Sequence, residues 1–202
     1  MHLSLLGKLQ VDTTRSKAPL ALRIGAATLI VGAALFLSSG CVSKGFFTFR
    51  AFKIPSASMC PTICEGDRII VDMAAFRRSA PRHGDIVIFP FDSERNRHIK
   101  RVVAVGGDEV SGSHGQLIVN GKPVEPPASA CGTSADRGIV YEASPDLVPQ
   151  RVPSDRLFLV GDNMDHSYDS RYYGTIEVSR IRGRPLYIYW SARNSRIGCP
   201  IR

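Results

Sequence analysis

A run of residues without a charged side chain, from Ile24 to Ser43, is the feature that most constrains what this chain can fold into. A hydrocarbon layer of about 30 Å needs about 20 mostly apolar residues in a helix, which is the length of this run. The run therefore predicts a transmembrane helix. A cleavable signal peptide is the alternative interpretation, because the apolar centre is modest and ends in small residues before Cys41.

This run divides the chain of 202 residues into a short tail, residues 1–23, an anchor, residues 24–43, and a larger part, residues 44–202. Its end is also weakly similar to a lipoprotein processing site, although Ser38 stands where leucine is usual. Basic residues on the two sides are nearly balanced, so the positive-inside rule leaves the orientation open. They are Lys8, Arg15, Lys17 and Arg23 before the run, and Lys44, Arg50 and Lys53 after it.

The formal net charge of +8 would suit nucleic acid or an anionic lipid surface. The basic residues are scattered and show no spacing typical of a nucleic-acid-binding motif, so lipid headgroups are the expected partner. Cys60 and Cys64 lack the second pair of a metal site, and we interpret them as small packing residues. Cys131 and Cys199 could form a disulfide outside the cytoplasm, but the sequence does not show that they meet.

Short β-rich runs separated by turn residues dominate the chain after residue 44. They are residues 46–54, 68–76, 84–91, 98–110, 116–125, 156–163 and 184–191. Asn120-Gly121 is the preferred two-residue turn of a hairpin, and residues 126–138 are loop-like. Because helical periodicity is nearly absent, we expect a mainly β part built from curled antiparallel sheets. A small hairpin-and-loop lobe is expected at about residues 108–155.

Two serines, Ser56 and Ser58, stand between prolines in the stretch IPSASMCPTICEGDR, residues 54–68. Pro55 and Pro61 restrict the backbone there, which favours a side chain aimed in one direction. A serine hydroxyl becomes an effective nucleophile only when a base removes its proton. None of the five histidines has a spacing typical of a triad, so a serine–lysine pair is the alternative.

Lys100 is the candidate base. It lies in the β-rich run HIKRVVAV, where Val102 shares its face and Arg101 points to the opposite face. A lysine can act as a base only when it is neutral, so burial among apolar groups must lower its pKa from about 10.4 by several units. Taken alone, this run favours an ordinary solvated lysine beside an arginine.

A third stretch, GDNMDHSYDSRYYG at residues 161–174, is dense in polar groups. Asp169 and Arg171 are close enough in sequence to pair and so to lock a loop, and Ser167 could hold a lysine amine in line. Taken alone, this stretch favours a solvated turn with salt bridges.

The motifs PSASM-CPT, GDRIIVD, HGDIVIF, HIKRVVAVGGD and GDNMDHSYDSRYYG follow one another in this chain. In this order they resemble the successive sequence boxes of type I (leader) signal peptidases, over about residues 46–191. The resemblance implies a signal-peptidase-type β core after an N-terminal transmembrane helix. It also implies a membrane-anchored serine endopeptidase that removes signal peptides from exported preproteins, cutting after small residues.

The same resemblance implies a location and a set of partners. The chain would be a single-pass protein of the bacterial inner membrane, with residues 1–23 in the cytoplasm and the catalytic domain on the periplasmic side. Its partners would be preprotein signal peptides and membrane lipid, without nucleic acid, and it would need neither a metal nor an organic cofactor.

The resemblance also implies roles for individual residues. Ser58 matches the nucleophile and Lys100 the general base. The Ser56 hydroxyl matches a donor that joins the Ser58 N–H in the oxyanion hole. The remaining matches are Ser167 for orienting the lysine, Asp169 and Arg171 for a supporting ion pair, and Phe52, Ile54 and Ile99 for shallow apolar substrate pockets.

Three residues depart from the pattern of the family that the chain resembles. His98 stands where tyrosine is frequent, Gly106 where proline is frequent, and Met164 where arginine is usual. The Met164 difference affects a local contact and leaves the two catalytic candidates in place.

Other functions remain open. The chain could be a dedicated processing peptidase of the same serine–lysine class, such as one that matures pilins, and substrate profiling would distinguish the two. It could also be a non-catalytic, membrane-anchored module that binds a partner with its basic face. Self-cleaving repressors share a related pair and β core, but they carry a DNA-binding domain where this chain has its apolar run.

Overall fold

The computed structural model describes residues 48–125, residue 127 and residues 146–202. The tail at residues 1–23, the apolar run at residues 24–43, Cys131 and most of the expected loop at residues 126–138 lie outside the described residues. Within the described ranges, no helix combines the length and the hydropathy that a membrane crossing requires.

The described part is mainly β, as the sequence predicts. Its strands are β1 (Phe49–Lys53), β2 (Arg68–Asp72), β3 (Ile86–Pro90), β4 (Arg97–Val105), β5 (Glu109–Ser113), β6 (Gln116–Val119), β7 (Lys122–Pro123), β8 (Leu147–Arg151), β9 (Arg156–Val160), β10 (Ile176–Glu177) and β11 (Arg184–Trp190). In the described residues, helical structure is confined to α1 (Ser170–Tyr173) and to short 3₁₀ turns at Met164–His166, Val178–Arg180 and Asn194–Arg196.

The strands form three antiparallel sheets. The first sheet has the order β1-β2-β11, the second β10-β9-β4-β3, and the third β7-β6-β5-β8. Each of the first two sheets contributes one wall of the candidate site, because β1 leads into the segment that carries Ser58 and β4 carries Lys100. The third sheet consists of β5 to β8, which follow β4 in the chain.

The second sheet has apolar side chains on both faces, which explains why its strands are so deeply buried. In β9, Leu157 and Leu159 pack in one core cluster, while Phe158 and Val160 pack in another. Successive side chains of a strand point to opposite faces, so a continuous apolar run supplies two cores at once. Full burial of each such side chain contributes about 1.5–3 kcal/mol relative to exposure.

A third apolar cluster lies beneath the first sheet. Ile69 and Val71 alternate along β2 with less buried residues, which is the pattern of a strand with one buried face. Met59, just before the Cys60–Cys64 segment, and Ile63, within it, are buried in the same cluster. The segment that carries Ser58 is therefore anchored in the core on its far side.

Turns in the third sheet follow the local sequence. Asn120 and Gly121 have φ angles of 52° and 75°, as the predicted hairpin turn between β6 and β7 requires. Gly106 approaches the backbone of Ser154 so closely that an added Cβ would lie 2.5 Å from the Ser154 carbonyl oxygen. The sequence does not reveal β8, because its residues are mostly exposed and lack an alternating apolar pattern.

Candidate active site

Ser58 lies in a segment that several long-range contacts hold in place. The backbone of Ile54 exchanges hydrogen bonds with the chain at Gly66 and Asp67, and Met59 forms a β-bridge with Ile63. Asn163 donates from its backbone N–H to the Ser58 carbonyl oxygen at 3.1 Å and from its side chain to the Ala57 carbonyl oxygen at 3.2 Å. These bonds fix the backbone on both sides of the Ser58 hydroxyl.

A disulfide joins Cys60 and Cys64 in this segment. The interpretation of these two residues as small packing thiols is therefore wrong. Because they are only four positions apart, the bond closes a short loop that begins two residues after Ser58. Sequence spacing does not reveal this bond, since a C-x3-C pattern has several meanings.

A buried ion pair supports the same loop from beneath. Arg196 is 1% exposed and donates to the carbonyl oxygens of Pro61 and Thr62 at 3.0 and 3.1 Å. Its guanidinium also contacts Asp67 at 2.9 Å, and this carboxylate accepts the Cys64 N–H at 2.8 Å. Sequence reasoning missed this pair, because 129 residues separate its members and Arg196 lies outside the motifs quoted above.

Lys100 lies on the buried face of β4, where it is 3% exposed. Its Nζ is 2.9 Å from the Ser58 Oγ. Burial lowers the pKa of the Lys100 amine to about 8, although the charges of Asp169 and Asp162 oppose the shift. A substantial fraction of the amine is therefore neutral at weakly alkaline pH, and the contact can carry a proton from hydroxyl to amine.

Arg101 points to the opposite face of β4, as the alternation of the strand requires, but it is not a free surface residue. Its Nε and Nη2 donate to the two carboxylate oxygens of Asp162, each at 2.7 Å. The pair ties β4 to the segment after β9, which also carries Asn163. This ion pair therefore holds β4 to the chain after β9, next to Lys100.

Asp169 and Arg171 form a buried ion pair with a shortest distance of 2.8 Å. Asp169 also accepts the Gly161 N–H at 3.0 Å, and Arg171 donates to the carbonyl oxygens of Met164 and Ser167. The pair therefore organises the whole turn after β9. Its acidic member raises the pKa of Lys100, so the net pKa reflects burial outweighing this charge.

The hydroxyls of Ser56 and Ser167, both expected near the Ser58–Lys100 pair, differ in burial. Ser56 is exposed, and its Oγ is 3.4 Å from the Ser58 Oγ. The Ser167 Oγ is buried and has no hydrogen-bond partner among the described residues. An added Cβ at Gly161 would meet both this oxygen and the Ser58 carbonyl oxygen, so the Ser167 hydroxyl lies beside the Ser58 backbone.

A groove runs past Ser58 and Lys100, and Phe52, Ile54 and Ile99 contribute to its lining. Phe52 and Ile99 are partly buried and pack against the core cluster beneath the first sheet. His98 also lines the groove and stacks on Phe91 with ring centroids 4.7 Å apart. Burial, with a smaller contribution from Lys100, lowers the pKa of the His98 imidazole.

Comparison with known proteins shows to which family the chain belongs. A family model described as "Signal peptidase, peptidase S26" matches residues 23–190. The chain belongs to the signal peptidase family. Both the opening motif around Ser58 and the last polar stretch lie within the match, which ends before Arg196.

Two relatives give the same family by their sequences. A probable signal peptidase I-2 from Synechocystis sp. is 35% identical over 150 residues, which cover 71% of this chain and 64% of that protein. A signal peptidase I from Leptolyngbya laminosa is 32% identical over 165 residues, 76% of this chain and 75% of that protein. A solved signal peptidase I from Enterococcus faecalis V583 shares 28% identity and has a TM-score of 0.40, covering 52% of this chain and 95% of that structure.

Proposed function

We propose that this chain is a membrane-anchored serine endopeptidase that removes signal peptides from exported preproteins. The observation that carries the proposal is the 2.9 Å contact between the Ser58 Oγ and an almost fully buried Lys100 amine, at the wall of an apolar groove. Membership of the signal peptidase family gives the substrate class. The chemistry follows from the contact itself.

In the proposed reaction, the Ser58 oxygen attacks the scissile carbonyl carbon while the neutral Lys100 amine accepts the hydroxyl proton. Collapse of the tetrahedral intermediate breaks the peptide bond, and Lys100 returns the proton to the leaving amine. The same amine then takes a proton from a water molecule, whose oxygen attacks the acyl carbon. The bond from that carbon to the Ser58 oxygen breaks, and Lys100 returns the proton to the Ser58 oxygen. Every proton that is taken up is released again within one turnover.

The oxyanion formed in the first step needs donors. The Ser58 N–H and the Ser56 O–H are the proposed donors, and the closeness of the two serine oxygens supports this. A preorganised donor at an oxyanion contributes about 2.7–4 kcal/mol to lowering the barrier. Because Ser56 is exposed, its hydroxyl is free to rotate toward a substrate carbonyl oxygen.

A neutral lysine amine has one lone pair for the Ser58 proton and N–H groups that need other acceptors. We assign Ser167 the role of orienting this amine, because its hydroxyl is buried beside the Ser58 backbone with its hydrogen-bonding capacity unused. Asp169 and Arg171 would hold the turn that carries Ser167. Phe52, Ile54 and Ile99 would form the shallow pockets that accept small side chains.

The proposed location is the bacterial inner membrane, with residues 24–43 as a single span, residues 1–23 in the cytoplasm and the catalytic domain on the periplasmic side. The Cys60–Cys64 disulfide supports that side, because disulfides persist in oxidising compartments and are rare in the cytoplasm. This orientation would place the groove where a translocated preprotein emerges.

The test is incubation of the full chain, solubilised in detergent, with a preprotein whose cleavage products are identified by mass spectrometry. We expect one cut after a small residue at the end of the signal peptide. Ser58→Ala and Lys100→Ala should each abolish the cut while the circular dichroism spectrum stays that of the parent. Retained turnover in both variants would overturn the assignment of Ser58 and Lys100, whereas no cleavage by the parent would support a non-catalytic binding module.

A further inference from the structure

Asn163 connects the segment after β9 to the backbone around Ser58. It is 5% exposed, so its amide lies inside the protein. Its backbone N–H donates to the Ser58 carbonyl oxygen at 3.1 Å, and its side-chain Nδ2 donates to the Ala57 carbonyl oxygen at 3.2 Å. The two bonds hold the two successive peptide groups that meet at the Ser58 Cα.

The first of these peptide groups contains the Ser58 N–H, which is a proposed oxyanion donor. The Ala57–Ser58 peptide bond is trans, and in a planar trans peptide the C=O and the N–H point in opposite directions. A bond that fixes the Ala57 carbonyl oxygen therefore also fixes the direction of the Ser58 N–H. Within the described ranges this N–H donates to no other group, so it is available to a substrate oxygen.

A second donor to the Ala57 carbonyl oxygen shows what Asn163 adds. The Cys60 N–H also donates to this oxygen, at 3.0 Å, which closes a turn within the Ser58 segment. A local turn does not set the direction of the peptide relative to the rest of the site. Asn163 follows β9, and β9 pairs with β4, which carries Lys100. The Asn163 bond therefore orients the Ser58 N–H relative to the strand that holds the Lys100 amine.

The side chain of Asn163 has a defined orientation. Its Oδ1 lies 3.4 Å from the His166 Nδ1, and the His166 backbone N–H donates to the Asn163 carbonyl oxygen at 3.2 Å. An asparagine amide donates with its nitrogen and accepts with its oxygen. The contacts with His166 and with Ala57 therefore agree on one orientation, in which the Nδ2 faces the Ala57 carbonyl oxygen.

We propose that Asn163 is a positioning residue for the oxyanion hole. By binding the Ala57 carbonyl oxygen, it aims the Ser58 N–H at the oxyanion of the tetrahedral intermediate. Hydrogen bonding to a carbonyl oxygen also polarises the peptide group, which makes its N–H a stronger donor. This role rests on the proposed peptidase function and deepens it, because it concerns how the same site recognises its transition state. Asn163 takes no part in proton transfer.

The test uses the full chain in detergent and two ligands that differ only in their end group. One is a peptide aldehyde that ends in alanine, and the other is the matching peptide alcohol. The Ser58 oxygen adds to the aldehyde carbon, its proton passes to the Lys100 amine, and the former carbonyl oxygen becomes the oxyanion. The alcohol binds without forming this bond. The two inhibition constants, together with kcat and KM for a preprotein, isolate the oxyanion contact.

Asn163→Ala removes the side-chain bond and keeps the backbone bond to the Ser58 carbonyl oxygen. We expect kcat to fall by about 30-fold with KM nearly unchanged, less than the loss of about 100-fold or more for a whole oxyanion donor, because Cys60 still binds the Ala57 carbonyl oxygen. The aldehyde should bind more weakly by the same factor, and the alcohol as before. Asn163→Asp keeps the shape but lacks the N–H donor, so it should show the same pattern at the plateau of its own pH profile.

The pH profile separates this role from a general disturbance of the site. Asn163→Ala should keep the parental midpoint near pH 8, because the buried surroundings of Lys100 are unchanged. A disrupted site would hydrate the amine and move the midpoint toward the pKa of free lysine, about 10.4. Asn120→Ala is the matched control, because that side chain also donates a hydrogen bond, to Asp108 at 2.7 Å, but lies in the hairpin of the third sheet. Its kcat and both inhibition constants should stay parental.

Parental kcat and aldehyde affinity in both Asn163 variants, counted per folded molecule, would overturn the role of Asn163. Equal losses of aldehyde and alcohol affinity would do the same, because they would indicate a damaged groove. A midpoint near pH 10 in Asn163→Ala would also contradict it. Failure of the proposed function looks different, because then the parent itself would cleave no preprotein and would bind the aldehyde no better than the alcohol.

Discussion

Two effects act in opposite directions on the pKa of Lys100. Its amine must be buried to lose its proton, yet Asp169 and Asp162 are near enough for their charges to favour the protonated form. Burial has the larger effect, so the pKa falls to about 8. The same desolvation that makes the amine a base at moderate pH must lower the stability of the fold wherever that amine is charged.

The first prediction is therefore that Lys100→Met abolishes cleavage and stabilises the protein. The folded pKa lies below the value for an unfolded lysine, so at neutral pH the parent carries a penalty of up to about 3 kcal/mol that methionine removes. The gain should be constant below pH about 8 and should vanish as the pH rises to about 10.5. Denaturant unfolding at a series of pH values measures it, and an unfolding midpoint lower than that of the parent at pH 7 would contradict it.

The second prediction concerns the pH dependence of catalysis by the parent. Only the neutral amine can accept the Ser58 proton, so kcat/KM should rise as the pH increases through about 8 and level off above it. The measurement is the rate of preprotein cleavage from pH 6 to pH 10. A rate that stays flat over this range, or one that rises only near the value of free lysine, would argue against Lys100 as the base.

At the scale of elements, the end of β9 packs closely against the segment that carries Ser58. An added Cβ at Gly161 would lie 2.5 Å from the Ser58 carbonyl oxygen and 2.3 Å from the Ser167 Oγ. The first contact is with backbone, so a change of side-chain rotamer cannot relieve it. The position of Ser58, the proposed nucleophile, therefore depends on residue 161 being a glycine.

The third prediction is that Gly161→Ala lowers kcat/KM by about 100-fold, since a displacement of about 1 Å at a nucleophile costs that much. Gly106→Ala is the matched control, because its Cβ would also lie 2.5 Å from a carbonyl oxygen, that of Ser154. Both variants should lose stability, but the folded fraction of Gly106→Ala should keep near-parental kcat/KM. Equal losses of activity per folded molecule would refute the positional argument.

The fourth prediction concerns the ion pair beneath the Ser58 segment. Arg196→Met leaves Asp67 buried without the guanidinium and removes the hydrogen bonds that Arg196 donates to the carbonyl oxygens of Pro61 and Thr62. Loss of one member of a buried pair costs about 3–5 kcal/mol, and thermal unfolding should show it. The double variant Asp67→Leu with Arg196→Met should recover part of that loss; a double variant less stable than Arg196→Met would contradict the charge argument.

At the scale of the whole molecule, the fifth prediction is a topology. In intact spheroplasts, a protease added outside should digest residues 48–202 and spare a cytoplasmic tag placed before residue 1. The tag becomes accessible only after the cells are lysed. Protection of the β-rich part from external protease would contradict the proposed periplasmic side.

How far the sequence predicts this molecule depends on the range of each interaction. The alternating burial along β2 and β4 follows from the residues of each strand, and the Asn120-Gly121 turn depends on two residues. These elements were therefore predictable from the sequence. The mainly β architecture is confirmed on the same basis. Ser58 and Lys100 came from ordered motifs, and their 2.9 Å contact across 42 residues needs coordinates to be seen.

Other features had no local signal. The Arg196–Asp67 pair joins residues 129 positions apart, and β8 lies at a sheet edge with little apolar surface to mark it. The sequence did not reveal the partner of Arg101, because Asp162 comes from the segment after β9. In each case the missing information is which distant segment completes the hydrogen bonding.

The disulfide after Ser58 matters to anyone who labels this enzyme with an electrophile. When Cys60 and Cys64 are joined, neither sulfur can be alkylated, and a reagent aimed at the neighbouring hydroxyl meets no thiol from this pair. Protein produced in a reducing cytosol would instead present two thiols within six residues of Ser58. Covalent modification seen in such a preparation must be mapped to its atom before it is counted as inhibition of the serine.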